Sequence, residues 1–369
     1  MNISNILIIW YKDNARDLPW KFDKDPYKIW VSEIILQQTR VEQAKSYYLN
    51  FISQFPTLQS LANAPLDQLL RLWQGLGYYS RARNMHAAAK QIITHFHGQF
   101  PKTRRELLLL KGVGPYTASA IAAFAFDQPT VALDGNAFRI FARLFAEPYP
   151  IDTASAHVVF SNLAQRCMLD ASPALFNQAI MDFGSLVCTP RPKCVDCPLG
   201  NCCMAYLQNR VMEFPVKGAK KAPRDRYFYY LHITIQEHTG EHTGEHTFIQ
   251  QRLQKDIWQN LYQFPLIETD RQIKLTDLPT LPEWSAIFGQ EVPHITGCTS
   301  KYLHRLTHQV LHTFFVRIRM EGKSQWLQQH CKKIPTSDID QYGVSRLIER
   351  YLLDESIKYL PLAYANLLE

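Results

Sequence analysis

No long apolar run opens this chain. The N-terminus offers only Ile6 to Trp10 before charged residues intervene, too short for a signal-peptide core or a bilayer span. Neither sign of charge dominates: 40 Lys and Arg against 33 Asp and Glu leave a net +7 and an isoelectric point near 8.9, which favours a polyanionic partner without requiring one. Cysteine is sparse over most of the length, with Cys167, Cys298 and Cys331 isolated and expected as buried small hydrophobes. A disulfide framework is excluded, since 369 residues with 46% hydrophobic side chains can bury a core without one. Aromatic side chains at 12% exclude a disordered chain. These absences point to a folded protein in a reducing, cytoplasmic setting, nucleoid-associated if bacterial, without membrane contact. Nothing suggests an obligate oligomer, so a monomer is expected.

Against this background the stretch CTPRPKCVDCPLGNCC, residues 188–203, stands out. Cys188, Cys194, Cys197 and Cys203 are close enough in sequence to form a thiolate cage for zinc or an iron-sulfur cluster. Zinc ribbons usually carry two separated C-x2-C pairs, whereas here one central pair is flanked by single cysteines across five residues on each side. That pattern favours a 4Fe-4S cluster, with a four-thiolate zinc site as the alternative.

To about residue 210 the apolar pattern is helical, with stripes in Ile29–Gln38, Ala64–Trp73, Met85–Phe96, Thr117–Phe126 and Asn136–Phe145. An all-α domain is expected over residues 1–213. EFPVKGAKKAPRDR then loses periodicity and gathers five basic residues, which reads as a basic linker over 214–226. Alternation at Leu231, Ile233 and Ile235, and again from Val310 to Met320, introduces strands before helical spacing returns at Leu347–Leu352, so residues 227–369 are expected to be an α+β domain. The near-repeat EHTGEHTGEHT from Glu237 is expected to be a hairpin loop lengthened by duplication.

Two short segments carry candidate chemistry. LKGVGPYTA, from Leu110 to Ala118, places Gly112 and Gly114 between helical segments, where a turn and a helix N-terminus can meet a phosphate. Twenty residues after Gly114, Asp134 in LDGN opens an amphipathic helix, and by itself reads as an N-cap.

The glycine hairpin, the following Asp and the trailing four-cysteine loop together resemble the helix-hairpin-helix DNA glycosylases that carry an iron-sulfur cluster. Within that superfamily VSEIILQQTRV (31–41), WQGLGYYSRARN (73–84), GVGPYTASAI (112–121), LDGNAFRI (133–140) and FNQAIMDFG (176–184) resemble the MutY-type adenine DNA glycosylases. The resemblance runs through the first 210 residues.

It implies excision of adenine mispaired with 8-oxoguanine or guanine in double-stranded DNA, leaving an abasic site, with a sliding clamp or other repair proteins as candidate partners. The adenine must be flipped out of the duplex; by similarity Gln38 and Tyr78, with Leu76 alongside, serve as wedges. Glu33 is the family's general acid, and a carboxyl with an ordinary value of ~4.3 must be raised by burial to hold its proton at neutral pH. Asp134, ionised at a helix N-terminus, stabilises or captures the oxocarbenium-like sugar, and Tyr116 and Asn136 hold water, Asp or sugar in register. The related endonuclease III enzymes carry a Schiff-base lysine where this chain has Tyr116, so a monofunctional glycosylase is expected. Arg81, Arg83, Lys102, Arg104 and Arg105 are candidate phosphate contacts, Arg81 and Arg83 foremost, and Lys193 is a further candidate in the cysteine loop.

Two features depart from the family pattern. The first cysteine interval is one residue shorter than the family's, and Cys202 stands beside Cys203 as a rival ligand. In the C-terminal half, FIQQRLQKDIWQNLYQFP (248–265) and YLHRLTHQVLHTFF (302–315) resemble the family's Nudix-like domain, but Leu306-Thr307-His308 replaces the Phe-Ser-His turn that reads 8-oxoguanine. The metal-binding glutamates of a Nudix hydrolase are absent, so nucleotide hydrolysis is not expected. The rival readings are an endonuclease III-like glycosylase with lyase activity and a non-catalytic iron-sulfur lesion sensor.

Overall fold

Asp25 and Pro26 start a helix with no wet side. Asp25 Oδ1 accepts the Tyr27 N–H at 2.9 Å, and Pro26 occupies a first-turn position where a missing N–H is harmless. Every residue from Ile29 to Ile35 of that helix is buried, Glu33 among them. A helix apolar on all faces belongs in a core. It packs on another of the same kind, Pro115–Phe126, in which Thr117 to Ala123 are all buried.

The computed structural model describes residues 2–21, 23–169, 171–218, 222–239, 242–322 and 324–354, the side chains of 237–239 and 242–243 excepted. In chain order the helices of the first part are α1 (Ile3–Asn14), α2 (Pro26–Leu36), α3 (Val41–Gln54), α4 (Leu58–Asn63), α5 (Leu66–Leu72), α6 (Ser80–His95), α7 (Arg104–Leu107), α8 (Pro115–Phe126), α9 (Gly135–Phe145), α10 (Ala156–Met168), α11 (Pro173–Leu186) and α12 (Met204–Leu207). The second part has strands β1 (Arg224–Thr239), β2 (His242–Gln251), β3 (Tyr262–Gln263), β4 (Leu266–Thr269), β5 (His294–Cys298), β6 (Tyr302–Arg305), β7 (Gln309–Arg319) and β8 (Lys332–Pro335), with helices α13 (Pro282–Phe288), α14 (Gln325–His330) and α15 (Arg346–Leu353). An all-α region followed by an α+β region is thus the architecture.

In the second part β1 and β7 run parallel, from Arg224↔Gln309 to Thr234↔Arg319, at the centre of a mixed sheet ordered β3-β2-β1-β7-β5. Successive side chains of a strand point to opposite faces, and here both faces are covered. Tyr229, Leu231 and Ile233 enter one core with Trp284 and Phe288; Phe228 and Tyr230 enter another with Leu347 and Tyr351.

The contacts divide the chain at places the sequence did not mark. One compact unit comprises Met1–Ala64 with Arg83–Lys220, the other Pro65–Ala82 with Lys221–Glu369. α5 and the turn after it therefore group with the sheet rather than with the helices that flank them in sequence. The expected linker over 214–226 also shrinks from both ends. Phe214 is core, the Ile151 N–H donates to the Val216 carbonyl at 3.1 Å, and the Gly218 N–H donates to Asp152 Oδ1 at 2.8 Å. At the other end Arg224 begins β1, and Arg226, only 8% exposed, is clamped between Glu268 at 2.6 Å and Asp256 at 2.8 Å. Arg226, which resembled linker charge, is thus a partnered residue of the fold.

Among the described residues the duplicated EHTG stretch is paired strand. β1 and β2 stay in antiparallel register from Thr234↔Thr247 to Thr239↔His242, so the duplication lengthens the paired strands. Residues 240 and 241, and the histidine side chains at 238 and 242, lie outside the described residues.

Arg226→Ala takes the guanidinium from Glu268 and leaves Asp256 to Arg252 alone, and both acids are partly solvated. The expected cost is about 2 kcal/mol, below the range for a fully buried pair. Scanning calorimetry reads it as a lowered unfolding midpoint, and an unchanged midpoint would show that the network contributes nothing.

Candidate active site

Because α2 is wet on no side, Glu33 has no route to bulk water along its own helix; it is 4% exposed and faces α8. There the Tyr116 hydroxyl donates to Glu33 Oε2 at 2.6 Å. The Glu33 carboxyl is pushed up to about 7, chiefly by burial; the Tyr116 bond opposes the shift and the negative charge of Asp134 adds to it. Asp134 caps α9, accepting the Ala137 N–H at 2.7 Å and the Asn136 side-chain amide at 3.0 Å. Burial raises its carboxyl as well, against those bonds and the charge of Arg139. Both acids, with Tyr116 and Asn136, line one cleft of about 1300 Å³.

The support behind these groups was not visible as chemistry in the sequence. Arg139 donates to the Asn136 Oδ1 at 2.8 Å, the Gly184 carbonyl at 2.7 Å and the Cys188 carbonyl at 2.7 Å. Gly184 lies against Asn136 so closely that an added Cβ would fall 2.4 Å from the Asn136 Cβ. Asn177 carries the approach to Asp134, accepting from Ala132 N at 2.7 Å and donating to the Thr130 carbonyl at 2.9 Å. Further along the same cleft the fully buried Asp182 accepts from the Arg16 main chain and guanidinium and pairs with Lys21. Gly184, Asn177 and Asp182 sit in the FNQAIMDFG stretch, a signal that could have found them. Arg16 and Lys21 look like ordinary solvated charges in the sequence.

At the hairpin, Gly112 has φ +76 and abuts Asn84, an added Cβ landing 2.5 Å from the Asn84 Cβ, so only glycine fits. Gly114 precedes α8, whose first turn has no side-chain cap. In the cysteine loop, the thiols of Cys188, Cys194 and Cys203 lie near enough to Cys197 to add to the rise that burial gives it, to about 11. Such mutually repelling thiols suit a cationic centre. Cys202 turns away, its thiol donating to the Leu199 carbonyl and neighbouring Cys167. The shortened first arm is held by Arg143, which donates to the Thr189 carbonyl at 2.7 Å and the Pro190 carbonyl at 3.0 Å. Among the described residues no three His, Cys, Asp or Glu side chains gather around a single-ion site, so support for the cage rests on spacing and on the mutual approach of the four thiols.

Residues 31–156 match the family of HhH-GPD superfamily base excision DNA repair proteins, and residues 239–354 match the NUDIX domain. The adenine DNA glycosylase of Buchnera aphidicola (subsp. Schizaphis graminum) is 34% identical over 319 residues, covering 86% of this chain and 87% of that protein. The chain belongs to the adenine DNA glycosylase family. The human member is 42% identical over 209 residues, covering 54% of this chain and 38% of that protein. A solved thermostable thymine-DNA glycosylase has 28% identity and a TM-score of 0.52, covering 56% of this chain and 95% of that one. The protein is accordingly a DNA N-glycosylase of base excision repair, with a helical HhH-GPD domain and a Nudix-like domain.

Other residues of the glycosylase sort by exposure. Gln38 is exposed at φ +58 and lines the cleft; Arg83 is half-buried and Lys193 exposed. Tyr78, 51% exposed at φ +47, directs its hydroxyl to the Thr307 Oγ1 at 3.2 Å. Two expectations are corrected. Leu76 is core, so it cannot wedge. Arg81 is 9% exposed, donating to the Leu76 and Gly77 carbonyls at 3.2 Å, and cannot reach a phosphate. Leu306 packs on the core of Phe228 and Tyr351, its N–H closing a turn onto the Gln309 carbonyl at 2.8 Å; Thr307 and His308 are exposed at the tip. In each case the motif marks the right turn while packing decides which member faces out.

Because Glu33 is raised in the folded state from 4.5 to about 7, the native state holds this proton more tightly, and the stability it contributes is lost as pH rises through about 7. Glu33→Gln abolishes that loss, so it should raise the melting temperature relative to the parent more at pH 8 than at pH 5; an equal offset at both would show that Glu33 is not raised. Gly184→Ala should push Asn136 and the α9 N-terminus aside and slow single-turnover excision about 10-fold or more, with excision at the parental rate contradicting that close packing.

Proposed function

We propose that the glycosylase excises adenine paired with 8-oxoguanine or guanine by acid-assisted hydrolysis, and that it is monofunctional. The observation that carries the chemistry is the bond from Tyr116 to a buried Glu33 raised to about 7, beside Asp134 in one cleft. Glu33 gives its proton to the adenine ring, the N9–C1′ bond breaks, and its electron pair leaves with the base. Asp134 offsets the positive charge developing on the sugar, and water guided by Asn136 adds at C1′, its proton returning to the Glu33 carboxylate. Arg16, half-buried on the cleft wall and held by the buried Asp182, provides donors for the flipped base. Lys21, a buried amine of the cleft, is tied to Asp182, which disfavours Schiff-base attack.

Gln38 and Tyr78 hold the duplex open, Gly112, Gly114, Arg83 and Lys193 meet its backbone, and Thr307 with His308 reads the opposite base. Cys188, Cys194, Cys197 and Cys203 fit a 4Fe-4S cluster, which when bound supplies a fixed cationic centre that orders the 188–203 loop. The helical catalytic domain and the Nudix-like recognition domain divide the chain functionally, whatever the grouping of 65–82.

On a duplex with one adenine opposite 8-oxoguanine, strand scission should appear only after hot alkali; scission without it would mean lyase activity. Glu33→Gln should keep binding and lose about 10³-fold in excision rate. His308→Ala should lower the preference for 8-oxoguanine over guanine about five- to tenfold, and equal losses on both would remove it from lesion reading.

A further inference from the structure

Arg81 is a cation without a solvent face. Its guanidinium lies over the Trp73 ring at 5.2 Å and near the Tyr78 ring at 5.7 Å, and its Nη2 donates to two successive carbonyls, Leu76 and Gly77, at 3.2 Å each. Trp73 Nε1 donates to the same Gly77 carbonyl at 3.1 Å. The turn held this way is strained: Gly75, Gly77 and Tyr78 have φ of +90, +69 and +47. For two glycines that is easy, but a tyrosine in the left-handed region is strained and persists only where its surroundings enforce it. What the turn achieves is the outward stance of Tyr78 with its hydroxyl on Thr307. All these residues belong to one compact unit.

We infer that Arg81 is a positioning residue for opening the base pair: it locks the 75–78 turn so that Tyr78 and the Thr307 turn meet the duplex as one preformed element. The inference rests on the wedge and reading roles proposed for Tyr78 and Thr307. Aromatic faces and carbonyl bonds on a buried guanidinium leave no room for a phosphate, and both carbonyls belong to the turn.

The test uses the full chain and a duplex carrying 8-oxoguanine opposite a non-hydrolysable 2′-fluoro-adenosine, with 2-aminopurine next to the 8-oxoguanine to brighten when the stack is opened. Arg81→Met should cut the brightening by more than half and slow single-turnover excision on the cleavable duplex about tenfold, the rate equivalent of the released strain. Arg81→Lys, which can still reach a carbonyl, should recover part of the signal. Tyr78→Ala separates the two layers: if it brightens like the parent, the wedge reading fails and takes this inference with it. If it goes dark while Arg81→Met stays bright, the wedge stands and the clamp is wrong. Should Arg81→Met not fold, Gly77→Ala decides. Its methyl meets no atom within 4 Å but strains the same turn at φ +69, so lost brightening supports the clamp and unchanged brightening overturns it.

Discussion

The hydrogen bond from Tyr116 to Glu33 joins two helices that are buried on every side, and most of the catalytic unit can be understood as what that bond requires. A carboxyl in such a place is held in its protonated range by desolvation, while the phenol that donates to it partly offsets the cost. Keeping water away demands the unbroken burial of Ile29–Ile35 on one side and Thr117–Ala123 on the other. The cleft can then be polar only at its wall, where Asp134, Asn136 and the Asp182 cluster stand.

Helix α9 links that wall to the cysteine loop. Its N-terminus holds Asp134, its first turn Asn136, and its later turns Arg139 and Arg143, whose guanidiniums donate to carbonyls at Cys188, Thr189 and Pro190. The first cysteine arm, with five residues between Cys188 and Cys194, is fixed from inside by these bonds.

In the second unit a two-sided sheet does the equivalent work. β1 feeds two cores at once, so the elements attached to it are positioned from both faces. The short turn between β6 and β7 exposes Thr307 and His308 while Leu306 anchors it, and the segment Pro65–Ala82 brings Tyr78 to the same turn.

The sequence by itself determined the helix-rich first part and strand-rich second part, the glycine hairpin and the four-cysteine loop. These depend on local periodicity, on turn residues and on ligand spacing, all of which are written along the chain, whereas the two acids were legible only through the resemblance of their motifs to the glycosylase family. It could not say which member of a motif faces outward. Leu76 and Arg81 sit in the right turns yet are consumed by packing, because a side chain's direction depends on neighbours distant in sequence. Nor could it reveal that Arg226 is a partnered strand residue, that Gly184 makes room for Asn136, or that residues 65–82 group with the sheet. Each of those follows from contacts closed only when the chain is folded, and burial, which raises Glu33 and hides Arg81, exists only in three dimensions.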